Sequence, residues 1–223
     1  MNMALDETLL QSALSGTASL RFYTWTEATL SLGYFQPHAE RLPGIAWVRR
    51  TTGGDAILHH HELTYCLALP AGSPWHNNES WLCRMHHIIA AALKQLGVET
   101  KSVVCGEEQR LGPFLCFQHQ TPADLAINGH KVVGSAQRRP HGAMMQHGSI
   151  LLGRSEHAPN LPGIADLTGV SISISDLDRA IVANFARETG WSVEPSEWSD
   201  IERDAASELD RTKYSAAEWN EKR

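Results

Sequence analysis

Asn128-Gly129 joins two apolar, β-branched stretches, residues 123–127 and 131–136. No other feature constrains the fold as strongly. Asn-Gly is the preferred pair for a two-residue turn with positive φ at both central positions, and such a turn joins antiparallel neighbours. Stretches of similar composition recur at 21–25, 29–34, 46–50, 56–58, 63–69, 100–104 and 147–152. Their aromatic and β-branched content predicts strands. Gly53-Gly54, between 46–50 and 56–58, predicts a tight turn, because glycine adopts backbone angles other residues avoid.

Helical periodicity appears in three places. Residues 1–14 put Leu5, Leu9, Leu10 and Ala13 on one face, with Gly16 as a stop. Residues 81–96 align Trp81, Met85, Ile88, Ile89, Ala92 and Leu96, with Ser80 as the N-cap and Gly97 at the end. Beyond about residue 172 the texture is helical. Ser175 is the expected cap of a helix through Phe185 and Ala186, and a charged helix is expected over 196–211. There is no internal repeat or low-complexity linker. The expectation is one domain over 1–223, a mixed sheet with residues 172–223 as its helical C-terminal part.

Composition narrows the function classes. The 223 residues suffice for one well-cored domain. The net charge of −6 comes with no basic stripe, which argues against a nucleic-acid partner. No apolar run approaches the roughly 20 residues of a membrane span. The amphipathic start, Met1 to Glu7, does not have the pattern of a signal peptide. Cys66, Cys83, Cys105 and Cys116 form no C-x-x-C pair, so they are expected as reduced thiols in a cytoplasmic protein.

Two residues can carry covalent chemistry. Cys116 lies in Pro113-Phe114-Leu115-Cys116-Phe117, and Lys131 in Asn128-Gly129-His130-Lys131-Val132-Val133-Gly134-Ser135-Ala136-Gln137-Arg138-Arg139. A thiolate attacks a thioester well, and a nearby cation lowers a thiol pKa and can hold a carbonyl oxygen. Taken separately, each has an ordinary explanation. A free cysteine is usually a small buried hydrophobe, and a lysine at a strand start is usually a solvated charge. Cys66 and Cys83 fit the buried role. Cys105 sits in a loop before Gly106 and is a weak competitor for the chemistry.

The other motifs are also open to two readings. Arg49-Arg50-Thr51-Thr52-Gly53-Gly54-Asp55-Ala56-Ile57-Leu58-His59 is either a hairpin with solvated arginines or a ligand-approaching turn with anion-holding arginines. His59-His60-His61 suggests a metal site. Neighbouring strand residues point to opposite faces, so three consecutive histidines on a strand cannot converge on one ion, and no metal is expected. His147, in Gln146-His147-Gly148-Ser149, is a structural hydrogen-bonder or an acid/base group.

Taken together, the motifs resemble the lipoate/biotin protein ligase and octanoyltransferase superfamily. Asn2-Met3-Ala4-Leu5-Asp6-Glu7 resembles its first helix, and Leu30 to Gln36 its early strand. Arg49 to His59 with Glu62-Leu63-Thr64-Tyr65 is similar to its arginine–glycine motif, and Gly129-x-Lys131 to Gln137 to its lysine segment. Lys213-Tyr214 with Glu218-Trp219-Asn220 resembles its C-terminal end. The resemblance spans nearly the whole chain, in family order.

It implies an α+β fold like the catalytic domain of class II aminoacyl-tRNA synthetases and biotin or lipoate ligases. Such a fold has a mixed, mostly antiparallel sheet flanked by helices, and an acyl-binding tunnel. Cys116 at this distance before Lys131 is most similar to the cysteine-dependent octanoyltransferases of the lipoate-ligase-like branch. That branch implies Cys116 as the acyl-accepting nucleophile and Lys131 as the group that binds the thioester carbonyl. Arg50, Gly53, Gly54, His59, Gly134, Ala136 and His147 are then implied around the substrate. The implied donor is octanoyl-acyl carrier protein. The implied acceptors are lipoyl-domain proteins, namely a 2-oxoacid dehydrogenase E2 or a glycine cleavage H protein. The implied enzyme is a monomer without cofactor. ATP and Mg enter only in the alternative, an ATP-dependent lipoate ligase. A lipoyl or octanoyl amidotransferase and a non-catalytic acyl-binding protein also remain open. Asp55 follows Gly53-Gly54 where ligases of the superfamily commonly carry glycine, and an acid there disfavours a nucleotide phosphate.

Overall fold

The computed structural model describes residues 1–76, 80–110, 112 and 114–223, with Glu40 as backbone alone. The chain opens with helix α1 (Asn2–Leu14) and strands β1 (Ser19–Tyr23), β2 (Thr29–Leu32), β3 (Ala46–Arg49), β4 (Ile57–His59) and β5 (Glu62–Leu69). Helix α2 (Trp81–Gln95) follows. Short strands β6 (Lys101–Ser102), β7 (Gln109–Arg110) and β8 (His119–Gln120) come next, then β9 (Leu125–Ile127), β10 (His130–Arg138) and β11 (Met144–Leu151). Helices α3 (Ile164–Thr168), α4 (Ile174–Thr189), α5 (Asp200–Leu209) and α6 (Ala217–Asn220) complete the chain.

Six strands form one sheet in the order β1-β5-β11-β10-β9-β6, with every neighbour antiparallel. The Asn128-Gly129 turn joins β9 to β10 as expected, with φ of 50° and 79°. One face of the sheet packs Leu63, Tyr65, Leu67 and Leu69 against Trp81, Met85, Ile88 and Ile89 of α2 and Leu177, Ile181 and Phe185 of α4. On the other face, Cys66, Ala68 and Met145 meet Leu9, Leu10 and Ala13 of α1. Alternation along β5 thus serves two helical layers, and all eight of its residues are buried. A second sheet, β3-β2-β4, pairs β2 parallel to β3 and antiparallel to β4. The fold is α+β, with an antiparallel main sheet between helices.

The structure moves some expected boundaries. Ser173, not Ser175, caps α4 by accepting from the Asp176 N–H. Ser80 precedes α2 but makes no side-chain cap bond. The strand expected over 100–104 shrinks to β6, and the charged helix expected over 196–211 begins at Asp200, capped by Ser199. Cys83 is only half-buried, because it lies beside the apolar stripe of α2. No helix among the described residues is long and apolar enough to cross a membrane.

Candidate active site

Cys116 opens a single 3₁₀ turn, Cys116–Gln118, outside the main sheet. Its backbone N–H donates to the Ala56 carbonyl at 2.7 Å, and Leu115 bridges Ala56 in parallel. The turn is therefore anchored to the end of the Gly53-Gly54 loop. The Cys116 side chain is half-buried. Its Sγ lies 3.6 Å from Lys131 Nζ.

Lys131 reaches the sulfur because β10 is irregular. The pairing of Lys131 with Ala126 and of Val133 with Leu125 leaves a bulge between them. A bulge shifts the alternation by one residue and re-aims the side chains around it. Lys131 lies folded over Gly134: a Cβ at that position would sit 2.3 Å from Lys131 Cε and 2.8 Å from its Nζ. Glycine three residues after the lysine is thus a spatial requirement. The Phe117 ring centroid stands 5.5 Å from the ammonium.

Asp124 completes the cluster, and sequence reasoning missed it. Its carboxylate meets Lys131 Nζ at 2.8 Å and also accepts from the Thr121 N–H at 2.7 Å and hydroxyl at 2.9 Å. Both charged side chains are over nine-tenths buried. The signal was present in the hairpin: a two-residue turn at Asn128-Gly129 pairs Ala126 with Lys131, and Asp124 stands two residues from that partner. Burial alone would pull the Lys131 pKa down. Charge on the Cys116 sulfur and on Asp124 outweighs it, and the net shift is upward. The lysine is an ammonium that supports negative charge beside it.

Arg50 lies deeper. A guanidinium has five N–H donors, and protein groups take all five. Nη2 donates to Gly53 O at 2.8 Å and Asp55 O at 2.7 Å, Nη1 to Ser31 O at 2.8 Å and Ser31 Oγ at 3.2 Å, and Nε to Thr52 Oγ1 at 3.2 Å. Burial lowers its pKa to about 10, against the raising influence of Cys116 and Asp55, so it remains charged at neutral pH. Arg50 shapes the Gly53-Gly54 loop from behind. Gly33 packs against the same loop so closely that a Cβ there would fall 1.8 Å from Gly54 O. The Asp55 carboxylate meets His119 Nδ1 at 2.5 Å, clamping the glycine loop to the strand after Cys116.

The remaining expected site residues sit behind this loop. His59 Nε2 meets Ser31 Oγ at 2.7 Å and its Nδ1 meets Glu62 Oε1 at 2.6 Å, with Trp25 stacked on the ring at 4.2 Å. His147 Nε2 meets Thr52 Oγ1 at 2.7 Å and its Nδ1 meets Asp6 Oδ2 at 3.3 Å. Ala136 lies opposite His147 in the β10–β11 pairing. The three consecutive histidines are separated by a turn, not by strand alternation. His59 ends β4 and points inward, whereas His60 and His61 lie in the turn with rings stacked at 3.7 Å. No group of three or more metal-ligating side chains occurs among the described residues.

Two cavities differ sharply in size and place. One beside Phe117 and Leu58 is only about 10 Å³. A groove of about 1290 Å³, lined in part by α1, β1 and Trp191 to Trp198, contains none of the residues above. Geometry and charge therefore mark the site better than cavity size.

Residues 1–158 match the family described as lipoyl protein ligase A/B catalytic domain. The chain is 33% identical to octanoyltransferase LipM of Brevibacillus brevis, covering 100% of this chain and 95% of the relative. It is 34% identical to octanoyltransferase LipM of Carboxydothermus hydrogenoformans, covering 98% and 93%. A similar solved structure comes from an archaeal lipoylation system, a bi-partite lipoate protein ligase and its E2 lipoyl domain from Thermoplasma acidophilum. It has a TM-score of 0.74 and 21% identity, over 99% of this chain and 90% of that one. The glycine loop, the bulged lysine strand and these matches lead to one conclusion: the chain belongs to the lipoyl protein ligase A/B catalytic domain family.

Proposed function

We propose that the chain is an octanoyltransferase of lipoate assembly that works through a thioester on Cys116. It takes the octanoyl group from acyl carrier protein and places it on the lysine of a lipoyl domain, in a 2-oxoacid dehydrogenase E2 or a glycine cleavage H protein. The observation that carries this reading is the 3.6 Å approach of Lys131 Nζ to Cys116 Sγ. The LipM relatives support the acyl group and the reaction class.

The chemistry has two halves. The Cys116 thiolate attacks the octanoyl thioester carbonyl, a sulfur–carbon bond forms, and the carrier's sulfur leaves and takes up a proton. A neutral acceptor amine then attacks the octanoyl-cysteine. The amide bond forms, the Cys116 sulfur–carbon bond breaks, the amine's surplus proton goes to solvent, and the thiolate is restored. An ammonium has three donors. Cys116 and Asp124 engage two of those on Lys131, which leaves one for the carbonyl oxygen as it becomes an oxyanion. The acyl group arrives already activated, so the proposed reaction uses neither ATP nor a metal. Gly53, Gly54, Gly134 and Ala136 form the proposed wall of the acyl site, and Arg50, His59 and His147 hold that wall from behind.

The test is transfer from octanoyl-acyl carrier protein to a lipoyl domain without ATP, followed by mass. The wild type should transfer, and Cys116→Ala and Cys116→Ser should not. A strict requirement for ATP with the free acid would replace the proposal with a ligase. Transfer only from an octanoylated lipoyl protein would replace it with an amidotransferase.

A further inference from the structure

Two hydroxyl–imidazole–carboxylate chains converge on the Arg50 guanidinium. The guanidinium at one end only donates and the carboxylate at the other only accepts. Arg50 Nη1–H donates to Ser31 Oγ, the Ser31 hydroxyl pairs with His59 Nε2, and His59 Nδ1–H donates to the Glu62 carboxylate. Likewise Arg50 Nε–H donates to Thr52 Oγ1, the Thr52 hydroxyl pairs with His147 Nε2, and His147 Nδ1–H donates to the Asp6 carboxylate.

Each chain has the connectivity of a nucleophilic triad. Neither can act as one. Both hydroxyls are buried, and each already accepts from a cation that would have to be displaced before attack. Each chain is closed at its far end. Glu62 Oε1 also accepts from Thr64 at 2.5 Å and Ser149 at 2.9 Å, and Asp6 accepts from Arg21 at 2.6 Å and Tyr23 at 2.8 Å. Glu62 Oε2 has no hydrogen-bond partner among the described residues, but Oε1 and the other side-chain atoms named in the two chains are paired, and such a buried network rigidifies what it holds. What it holds here is Arg50, and through it the carbonyls of Gly53 and Asp55, one residue before the Ala56 carbonyl that anchors the Cys116 N–H.

We infer that Ser31–His59–Glu62 and Thr52–His147–Asp6 are a pair of positioning relays that set Arg50, and with it the 53–56 loop, so that a thioester carbonyl meets the Cys116 sulfur in register. The inference rests on the reading of Cys116 as the acyl-carrying residue. The relays act on geometry, not on the nucleophilicity of the sulfur, which Lys131 and Asp124 support separately. A misplacement of about 1 Å distant from the reacting atoms costs on the order of a hundredfold in rate.

The experiment compares Thr52→Val, which keeps volume and removes the hydroxyl, with Thr52→Ser, which keeps the hydroxyl. Ser31→Ala, the Ser31→Ala/Thr52→Val double variant and Cys116→Ala complete the set. Two rates are read: octanoylation of Cys116 by octanoyl-pantetheine, and alkylation of Cys116 by iodoacetamide, which needs no aligned carbonyl. The expected result is octanoylation slowed about tenfold in each hydroxyl deletion and about a hundredfold in the double variant. Thr52→Ser should remain near wild type, and alkylation should be unchanged in every variant that keeps Cys116. If a deletion folds poorly, His147→Gln, which can accept from Thr52, is compared with His147→Leu, which cannot. Wild-type octanoylation in the deletions, with Cys116→Ala inert, overturns the relays and leaves the acyl-cysteine reading intact. Octanoylation that survives in Cys116→Ala overturns that reading, and the relays with it.

Discussion

Lys131 Nζ and Cys116 Sγ lie 3.6 Å apart, although they belong to a sheet strand and to a separate 3₁₀ turn. Two opposite unit charges at about 4 Å attract by about 4 kcal/mol at an effective dielectric constant near 20. Together with the Asp124 carboxylate, such an attraction outweighs the burial of the ammonium, in keeping with the upward shift of Lys131.

Gly134→Ala should separate the lysine from the sulfur without touching either. The new methyl would overlap Lys131 Cε at 2.3 Å, so the side chain must leave its present path. Overpacking of this kind costs about 1–3 kcal/mol, and the displaced ammonium should slow octanoyl-cysteine formation by about a hundredfold. Urea unfolding and single-turnover acylation together check this.

Asp124→Asn leaves Lys131 with the sulfur as its only anionic partner. Breaking a buried pair of this sort costs about 3 kcal/mol of stability. The pH effect has a definite sign. The raised Lys131 pKa means that its favourable contribution is complete below the ordinary lysine value, near 10.4, and is lost as pH rises through the higher folded value. Removing the carboxylate removes one upward pull, so the alkaline loss of stability and of acylation should begin at lower pH than in the wild type.

His86 supplies an acid-side prediction. Its Nδ1–H donates to Ala123 O at 2.6 Å and its Nε2 accepts from Ser135 at 2.7 Å, which supports Ala123, at φ 76°, just before Asp124. Burial holds its pKa below the ordinary imidazole value, with the Ala123 carbonyl opposing. As pH falls through that ordinary value, near 6.5, the unfolded chain takes up a proton that the folded chain refuses, and stability declines. Urea midpoints should therefore drop between about pH 7 and pH 5 in the wild type, and less steeply in His86→Gln.

Much of the fold was legible because its signals are local. The Asn128-Gly129 turn, the composition of residues 63–69 and the apolar stripe of α2 each fix an element without reference to the rest. Cys116 and Lys131 were legible as chemistry, but their meeting was not. It depends on the bulge between Lys131 and Val133 and on the bridge of Leu115 to Ala56, and both are tertiary. Asp124 was overlooked because it was counted as part of a strand, whereas β9 begins at Leu125. Arg50 and His59 were expected around the substrate. A motif shows which residues gather but not which way they face, and their polar atoms turn inward to Gly53, Asp55, Ser31 and Glu62.

The most direct measurement is the intact mass of the protein after brief exposure to octanoyl-acyl carrier protein, without acceptor and without ATP. The account predicts one added octanoyl group, located on the peptide that contains Cys116, released by hydroxylamine and absent in Cys116→Ala. An adduct on another residue, or none while transfer to a lipoyl domain still proceeds, would contradict it.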